Sequence, residues 1–593
     1  MREGYLPHLS AISDRGTFTK LQTTNPAASP VAWSTFLTGC NPGKHGIFDF
    51  IRTDPRTLWP ELSTTRYRPA PGEWENQRQI QSVFELAEQQ GSSATALFAP
   101  VSFPATPSAG GLLSGLETPD LRGGYGTFTF ITNDPEMLAR GDRRMRALDI
   151  QDGTAEAHIA LMNSKELVLR VRPADGLVHI LAGDDELAAL ESGAWTDWII
   201  LPTDLGPAVV QFYCKCLAPH VSVYVSPVQF APGHHWVSQP PEFGRCLAEA
   251  AGPYPTCGYP YDTDALGAGV LDDQAFLEHV RLSAQRIHTV AMEAAARNES
   301  DLFAVFFLEA DAVQHMLWRA IDYTHPLHEE SAPHKHAILE TYRRLDEVVG
   351  SLTEGLGDDT SVYIVSDHGF HSYRMSFDVN RWLLEAGYLI RKAGADAPMT
   401  SMYSQVDWAG TRAYSHGMGR ISVNLKGRER HGLVNPGSEA DALMKELTDR
   451  LLAEMDPHSA GTVVCQVWRA GELYSGDRVG DAPDLTLGLQ PGYRADSCSV
   501  TGGMAEVAIT RNHRRWSGDH SSVHPMFVQG VFFSNQRIDN PNCRLVDMAP
   551  TILRDLGLNP PTHMDGRSLQ DRDDYPARPR TSLLGHVDLN EGR

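Results

Sequence analysis

The chain has 593 residues, of which 41% are hydrophobic and 21% are charged, and its formal net charge at pH 7 is −23. This composition excludes a disordered protein, and a chain of this length is expected to form more than one compact unit. The negative charge argues against non-specific binding to a nucleic-acid polymer or an anionic membrane, although bound metal ions could still attract a phosphate-bearing substrate.

The eight cysteines are scattered along the chain, and none belongs to a CxxC pair. Cys214 and Cys216 would point to one face of a strand, where two small buried side chains are the simpler interpretation. This usage is typical of a reduced, intracellular protein, so we expect a cytoplasmic location. No apolar run reaches membrane-spanning length, and the first residues, MREGYLPHLS, do not resemble a signal peptide.

The first stretch with candidate chemistry is 23–50, where hydroxyl side chains stand among turn formers. Residues 32–37 are predicted to begin a helix, and Ser29 and Pro30 stand just before them. A hydroxyl there would lie in the positive field of the helix N-terminus, which favours a nucleophile or a bound phosphate. The alternative is a plain N-cap at Ser29 with proline at the first helical position, and on this stretch alone the alternative is stronger.

Residues 77–99 predict an α/β core, because a helix with one apolar face precedes a buried strand at 94–98. From about 150 to 230 the pattern of apolar and polar residues changes. Apolar and polar residues alternate there, as at 167–171 and 221–225, which is typical of half-exposed antiparallel sheet. We interpret this region as a β-rich insertion in the core.

Residues 302–318, LFAVFFLEADAVQHMLW, combine a predicted buried strand at 302–308 with a helix that begins near Asp311. His315 follows Asp311 by four positions, so both side chains lie on one helical face and could hold one ion. The alternative is an Asp that caps the helix and an unrelated His. The position just after a buried strand favours the ligand interpretation.

Residues 361–370, SVYIVSDHGF, predict a strand at 362–365 that is buried on both faces, as in a parallel sheet. Asp367 and His368 follow it directly. Open α/β sheets build their sites at the carboxyl ends of strands, and both side chains are good ligands for a divalent metal. An Asp that caps a turn beside an exposed His is an equally good interpretation of this stretch alone.

Two later regions complete the pattern. We interpret residues 405–500 as a second segment that leaves the α/β core, and this cap-like excursion could cover the site. The sequence WSGDH at 516–520 then adds another Asp and His in a glycine-containing loop, of which His520 is the candidate ligand.

Taken together, these segments resemble the alkaline phosphatase superfamily, and in particular its type I phosphodiesterase/nucleotide pyrophosphatase branch. The resemblance rests on SPVAWSTFLTGCNPGKHGIFDF, EADAVQHMLW, VSDHGF, TRAYSHGMGRISVNLKGRE, WSGDH and DMAPTILRDLGL, which run in the family's order. It implies an α/β sandwich with a central, mostly parallel sheet. It also implies two adjacent divalent metal ions, usually Zn²⁺, with Mn²⁺ as the alternative.

The resemblance also assigns residues to roles. One metal ion would be bound by Asp311, His315 and His520. The second would be bound by Asp367 and His368 together with the nucleophile, which corresponds to Ser29 when counted back from the Thr38-Gly39 pair. Reaction would pass through a phospho-seryl intermediate, because two close cations can stabilise the attacking and leaving oxygens of phosphoryl transfer.

The chain departs from the family pattern at two points. Ala32 stands where nucleotide pyrophosphatases carry an Asn that holds phosphoryl oxygens, so another stabiliser would be needed. The family's second metal site also uses an Asp just after the first strand, and this sequence begins downstream of that strand. Asp49 is the nearest carboxylate and lies past the nucleophile helix, so it is a poor substitute.

The expected organisation is an α/β core in three parts, interrupted twice. The core parts are 1–150, 231–400 and 501–577, the β-rich insertion is 151–230, the cap-like excursion is 401–500 and a polar tail is 578–593.

The expected function is hydrolysis of a small phosphate ester by a metal-dependent, phosphodiesterase-like enzyme. Two alternatives remain open. One is a catalytically impaired relative that lacks a metal-ligand Asp, and the other is a phosphomonoesterase or phosphomutase of the same superfamily. A sulfatase is disfavoured because the residues that follow Ser29 do not fit the pattern C/S-x-P-x-R.

Overall fold

A computed structural model describes residues 1, 3–357, 359–394, 405–539 and 542–570. The predicted polar tail, 578–593, lies outside these ranges, as do 571–577 of the last core part and 401–404 of the cap-like excursion.

Sixteen α-helices occur in these ranges. They are α1 (Pro7–Arg15), α2 (Ser29–Thr38), α3 (Pro42–His45), α4 (Val83–Gln89), α5 (Pro135–Ala139), α6 (Pro241–Ala251), α7 (Thr263–Gly267), α8 (Asp273–Ala296), α9 (Glu309–Leu317), α10 (His328–Ser331), α11 (Ala337–Thr353), α12 (Val379–Glu385), α13 (Ser438–Leu452), α14 (Ala470–Leu473), α15 (Ser497–Val500) and α16 (Met548–Asp555).

The first eighteen strands of the described chain are β1 (Thr17–Leu21), β2 (Ile51–Thr53), β3 (Pro60–Leu62), β4 (Thr65–Arg68), β5 (Glu73–Asn76), β6 (Ala94–Ala99), β7 (Gly111–Ser114), β8 (Thr129–Thr132), β9 (Met145–Ala147), β10 (Ala155–Ala160), β11 (Glu166–Ala174), β12 (Leu177–Ala182), β13 (Asp185–Leu190), β14 (Ile199–Thr203), β15 (Gly206–Val210), β16 (Phe212–Cys216), β17 (Ser222–Val225) and β18 (Gln229–Phe230). The remaining strands are β19 (Ser238–Gln239), β20 (Leu302–Val305), β21 (Tyr363–Val365), β22 (His371–Phe377), β23 (Ala413–Ser415), β24 (Arg420–Val423), β25 (Val464–Arg469), β26 (Leu485–Leu489), β27 (Gly492–Ala495), β28 (Ile509–Arg511), β29 (Gly518–Asp519) and β30 (Gly530–Ser534).

Two sheets carry the strands that lead to the candidate site. One has the order β19-β7-β6-β20, in which β6 runs parallel to both β7 and β20. The other has the order β1-β30-β21, in which both pairs are antiparallel. The fold is therefore a mixed α/β fold, but the single, mostly parallel central sheet expected from the sequence is present as two separate sheets.

Helices cover both faces of the strand β20. Leu302 and Ala304 pack against one buried cluster, to which α2, α4 and α16 contribute. The alternate residues, Phe303 and Val305, pack against another cluster that contains side chains of α8 and α9. Because successive side chains of a strand point to opposite faces, this division places β20 between two helical layers.

The strands β20 and β21 are only half-buried, whereas every residue of β6 is buried. The expectations of a buried strand at 302–308 and of a fully buried strand at 362–365 are therefore wrong, and the first strand is also shorter than predicted. The reason lies in the pairing: within the described ranges, β20 pairs only with β6 and β21 only with β30. Each strand thus has one edge without a strand partner, which leaves its side chains partly accessible.

The region 155–230 is built of strands, which form a four-stranded antiparallel meander, β10-β11-β12-β13, and parts of two further sheets. One of these further sheets takes in β8 and β9 from before the predicted insertion, because β17 pairs with β8. The region 413–495 has its own buried cluster, formed by the sheet β23-β24-β26-β25 with α12 and α13. The boundaries given for the insertion and the excursion remain predictions.

Among the helices in the described part of the chain, none combines the length and the apolar composition needed to cross a lipid bilayer.

Candidate metal centre

The candidate site lies where the ends of several elements meet: the carboxyl ends of β20 and β21, the first turn of α2, and the turn after β29. The chain leaves β21 at Val365 and passes Asp367 and His368 before Gly369. The N–H of Gly369 donates to the carbonyl of Val528 at 2.8 Å. A Cβ on Gly369 would lie only 2.6 Å from the carbonyl oxygen of Gln529. Glycine is therefore required here, and this close approach holds Asp367 and His368 against the segment that precedes β30.

Three of the predicted ligands form one tight group. Asp311 is in the first turn of α9 and His315 is one turn later. The distance from Asp311 Oδ1 to Nε2 is 3.4 Å for His315 and 3.7 Å for His520. Their potential ligand atoms all lie within 4.8 Å of one another, so a single ion could contact all three.

Two backbone carbonyls fix the orientation of the imidazole rings in this group. His315 Nδ1 lies 2.7 Å from the carbonyl oxygen of Gly518, and His520 Nδ1 lies 2.6 Å from that of Ala27. A carbonyl only accepts hydrogen bonds, so Nδ1 carries a proton in each ring, and Nε2 is the nitrogen that carries the lone pair in the neutral form. Metal-binding histidines are typically held in this way.

The charge state of the group suits a cation. Burial lowers the pKa of His520 well below its usual value, and the neighbouring His368 and His315 lower it further, so the ring is neutral. Burial would raise the pKa of Asp311, but the interaction with His315 outweighs burial and holds the pKa below its usual value.

The geometry passes a direct test of fit to a metal ion. The two Nε2 atoms of His315 and His520 are 3.3 Å apart, and both lie within 4 Å of Asp311 Oδ1. The buried Oδ1 of Asp311 has no hydrogen-bond partner among the residues that the structure describes. Two imidazole nitrogens and a carboxylate oxygen that converge in this way fit the ligand set of a cation, because burying an unpaired acceptor otherwise costs free energy.

A second group lies directly beside the first. His368 Nε2 is 3.1 Å from Asp367 Oδ2 and 2.9 Å from Ser29 Oγ. The imidazole of His368 stacks on that of His520, with ring centroids 3.4 Å apart. Asp367 Oδ2 is buried and, in the described part of the chain, has no hydrogen-bond partner. Burial lowers the pKa of His368, but the charges of Asp367 and Asp311 raise it above its usual value.

Ser29 is the first residue of α2, and the N-cap is Ala28, which has no side chain able to cap the helix. The hydroxyl of Ser29 is therefore not an N-cap, contrary to the simpler interpretation of the sequence. Ser29 is 8% exposed and its Oγ lies against His368, at the positive end of a ten-residue helix. The structure thus brings all six predicted site residues together, and their roles as ligands and nucleophile remain predictions.

Two carboxylates considered from the sequence serve structural roles. Asp49 accepts hydrogen bonds from the N–H groups of Met418 and Phe50 and forms an ion pair with Arg420 at 3.3 Å. Asp519, in the WSGDH loop, forms an ion pair with Arg494 and accepts from the indole N–H of Trp516. Neither joins the predicted ligands, and Ala32 is buried in the packing of α2.

Sequence reasoning missed Tyr259. Its hydroxyl donates to Asp311 Oδ2 at 2.8 Å, so it holds the oxygen that does not face the two histidines. The available signal was weak: two tyrosines, Tyr259 and Tyr261, in a short loop bounded by glycine and proline. No periodicity or spacing connects this loop with Asp311, which is 52 residues away in sequence.

A second cluster of Asp378, Asp496 and Cys498 also brings potential ligand atoms close together. Its carboxylates already have partners. Asp378 caps α12 through the N–H of Arg381, and Asp496 caps α15 through the N–H of Cys498. We therefore assign this cluster to helix capping.

Comparison with known families gives a match to the type I phosphodiesterase / nucleotide pyrophosphatase family over residues 1–153 and 234–521. These ranges contain all six predicted site residues. The unmatched stretch between them holds strands β10 to β18. No curated protein matches the chain.

Solved structures that resemble the chain include phosphonoacetate hydrolase from Sinorhizobium meliloti 1021 in complex with phosphonoformate, at 12% identity and a TM-score of 0.41 over 92% of this chain and 89% of that chain. The complex of the same hydrolase with phosphonoacetate gives 12% identity and a TM-score of 0.40 over the same shares. Human ectonucleotide pyrophosphatase/phosphodiesterase 5 gives 9% identity and a TM-score of 0.41 over 95% and 94% of the two chains.

Proposed function

Because the chain belongs to the type I phosphodiesterase / nucleotide pyrophosphatase family, we propose that it is a metal-dependent hydrolase of small phosphate esters that acts through Ser29. One observation carries the proposal. The lone pairs of His315 Nε2, His520 Nε2 and Asp311 Oδ1 converge in a buried group directly beside Ser29 and His368.

The ligand assignment follows the two groups. Asp311, His315 and His520 would hold one divalent cation, with Zn²⁺ as the first choice and Mn²⁺ as the alternative. Asp367 and His368 would hold a second, together with Ser29. Cations bound there would supply the positive charge that favours an ionised hydroxyl and stabilises a transferring phosphoryl group.

The chain's own residues define the reaction path. Ser29 Oγ attacks the phosphorus atom, the bond from phosphorus to the leaving alcohol breaks, and a phospho-seryl intermediate forms. The Ser29 proton is released to water, because the lone pair of His368 Nε2, which lies 2.9 Å from Oγ, would be used to hold the cation. The α2 N-terminus favours the negative charge that gathers at Ser29. Water then attacks phosphorus, which restores the serine hydroxyl and releases phosphate or its remaining monoester.

The first prediction tests the nucleophile. Ser29→Ala should lower hydrolysis of bis-p-nitrophenyl phosphate, assayed with added zinc or manganese, by on the order of a thousandfold or more. Metal binding should stay largely intact, because Ser29 adds only one ligand atom.

Ser34→Ala is the matched control for this substitution. Ser34 lies in the same helix and donates to the carbonyl of Pro30, away from the predicted ligands. Its loss should leave turnover nearly unchanged. Full activity in Ser29→Ala would exclude Ser29 as the nucleophile and make Thr35 or water the candidate. Parallel assays with p-nitrophenyl phosphate separate a diesterase from a monoesterase.

A catalytically impaired relative is the second candidate, and two observations favour it. Asp367 and His368 are the only two non-nucleophile ligands proposed for the second cation, and the oxygens of Asp49 are engaged elsewhere. Such a chain would bind one ion and keep the fold for binding rather than turnover.

The proposal also covers partners and location. We propose a small phosphate ester as the substrate and no nucleic-acid polymer as a partner, on the basis of the net charge of −23. A cytoplasmic location, inferred from the scattered cysteines, is likewise part of the proposal.

A further inference from the structure

The loop 257–261 places two tyrosine hydroxyls against two carboxylates in the first turn of α9. Tyr259 donates to Asp311 Oδ2 at 2.8 Å, and Tyr261 donates to Glu309 Oε2 at 3.3 Å. A carboxylate only accepts hydrogen bonds, so the phenol is the donor in both pairs. The two contacts are alike in chemistry, but only one of them involves a predicted metal ligand.

The loop is held rigidly from several sides. The N–H of Gly258 donates to the carbonyl of Thr118 at 2.8 Å, and His279 Nε2 lies 3.1 Å from the carbonyl oxygen of Pro260. A Cβ on Gly258 would lie 2.4 Å from the backbone nitrogens of Glu117 and Thr118, so only glycine fits. The position of the Tyr259 hydroxyl is therefore set by backbone contacts rather than by Asp311.

We propose that Tyr259 is a positioning residue that fixes Asp311 so that Oδ1 alone faces the Nε2 atoms of His315 and His520. An Asp carboxyl group rotates easily about its last side-chain bond. The hydrogen bond to Oδ2 restrains this rotation and leaves Oδ1, which has no hydrogen-bond partner among the described residues, 3.4 Å from His315 Nε2. This inference rests on the proposed function, because it assumes that Asp311 binds a metal ion.

The consequence is a measurable change in metal affinity. Substitution of outer groups that orient metal ligands typically costs about 10- to 100-fold in metal affinity. Tyr259→Phe removes the donor and keeps the ring, which packs against the clusters on both sides of the sheet, so the variant is expected to fold. We expect its zinc dissociation constant to rise by about 10- to 100-fold.

Tyr261→Phe is the matched control, because the same atom is removed from the same loop. Its hydroxyl contacts Glu309, whose other oxygen lies 2.6 Å from His288 Nε2. Glu309 is not among the predicted ligands, so zinc affinity should match that of the unsubstituted protein.

The experiment is a zinc titration of the full chain, freed of metal by a chelator, against a chromophoric competitor. Melting temperatures of the metal-free proteins check that each variant is folded. Hydrolysis is then measured as a function of zinc concentration. Turnover of Tyr259→Phe should recover at saturating zinc, because the proposal assigns Tyr259 to ligand placement and not to chemistry.

The outcomes separate the inference from the proposed function. If the unsubstituted protein binds no zinc or manganese, both fail. If it binds zinc and Tyr259→Phe binds equally well, the positioning role is wrong while the proposed function stands. A loss of affinity that is the same in Tyr259→Phe and Tyr261→Phe would also overturn it, because the loop as a whole would then be responsible. A changed KM with unchanged zinc affinity would assign Tyr259 to substrate contact instead.

Discussion

At the scale of single residues, the orientation of His520 supports its predicted role as a metal ligand. Its Nδ1 donates to the carbonyl of Ala27, and this contact turns Nε2 toward His315 and Asp311. Loss of a group that only orients a metal ligand typically costs about 10- to 100-fold in metal affinity. His520→Ala removes a predicted ligand itself, so it should weaken zinc binding by more than this. Zinc competition titration measures this directly.

His524→Ala provides the comparison for His520. His524 belongs to the same segment, but its ring lies against Trp468 and Phe527, away from the predicted ligands. We expect unchanged zinc affinity in this variant. Equal affinities in the two variants would remove His520 from the metal centre.

A residue outside the centre gives a prediction about stability and pH. Burial raises the pKa of Glu117 to about 7 from its usual 4.5. As pH rises from 4.5 to about 7, the unfolded chain loses this proton while the folded chain keeps it, so stability falls across this window and then levels off. The full effect is on the order of 3 kcal/mol.

Glu117→Gln removes the ionisable group and keeps an acceptor for the hydroxyl of Thr64, which lies 3.0 Å from Oε2. Melting temperatures of the variant and of the unsubstituted protein are measured from pH 4 to pH 8. The difference between them should shift in favour of the variant as pH rises. Glu249→Gln, at an exposed position in α6, should show a constant difference. A constant difference for Glu117→Gln as well would mean that Glu117 titrates normally in the folded protein.

At the scale of secondary-structure elements, the unusual feature is that β20 and β21 each have one edge without a strand partner among the described residues. Along β20, the N–H groups of Leu302 and Phe306 donate toward β6. The alternation of a strand then directs the N–H groups of Phe303 and Val305 to the other edge. Along β21, the N–H of Ser366 donates toward β30, so those of Tyr363 and Val365 face away from it.

Hydrogen exchange should detect these edges. The outward amides of Phe303, Val305, Tyr363 and Val365 should exchange about tenfold or more faster than the amides of Phe532 and Phe533 in β30, which has strand neighbours on both sides. The inward amides of Leu302 and Ser366 give a control within the same strands. Slow exchange at the outward positions would show that another segment pairs with these edges.

The elements themselves were largely predictable, because the signals are local. The apolar run at 94–98 became β6, the helix predicted from residue 32 formed as α2 but begins earlier, at Ser29, and Asp311 and His315 share one face of α9. The burial of 362–365 was predicted wrongly from an equally clear run. Whether a strand is covered depends on its neighbours in the sheet, and these are distant in sequence.

At the scale of the whole molecule, candidate ligands could be predicted from the sequence, but the contacts that orient them could not. Asp311 and Asp367 could be proposed as ligands because each follows an apolar strand at the edge where α/β sheets build sites. The carbonyls of Ala27 and Gly518 and the hydroxyl of Tyr259 carry no sequence signal, because they reach the site through tertiary contacts. The same holds for Asp519, which resembles a ligand in sequence but pairs with Arg494.

The composition of the whole centre leads to a prediction about metal content. Zinc sites in proteins have three or four protein ligands. Asp311, His315 and His520 meet that number, and Tyr259 supports them. Asp367 and His368 supply only two ligands besides the Ser29 hydroxyl. We therefore expect one zinc ion to bind tightly and a second weakly, with low phosphodiesterase activity that rises as added zinc fills the second position.

Elemental analysis after dialysis measures the tightly bound ion, and equilibrium dialysis against added zinc measures the weak one. Asp311→Asn should remove the tight equivalent, because it alters the oxygen that faces both histidines. Asp367→Asn should keep the tight equivalent and lose the activation by added zinc, because its carboxylate lies in the other group. Two equivalents retained through dialysis by the unsubstituted protein would show that the second group, with Ser29, is already a complete site.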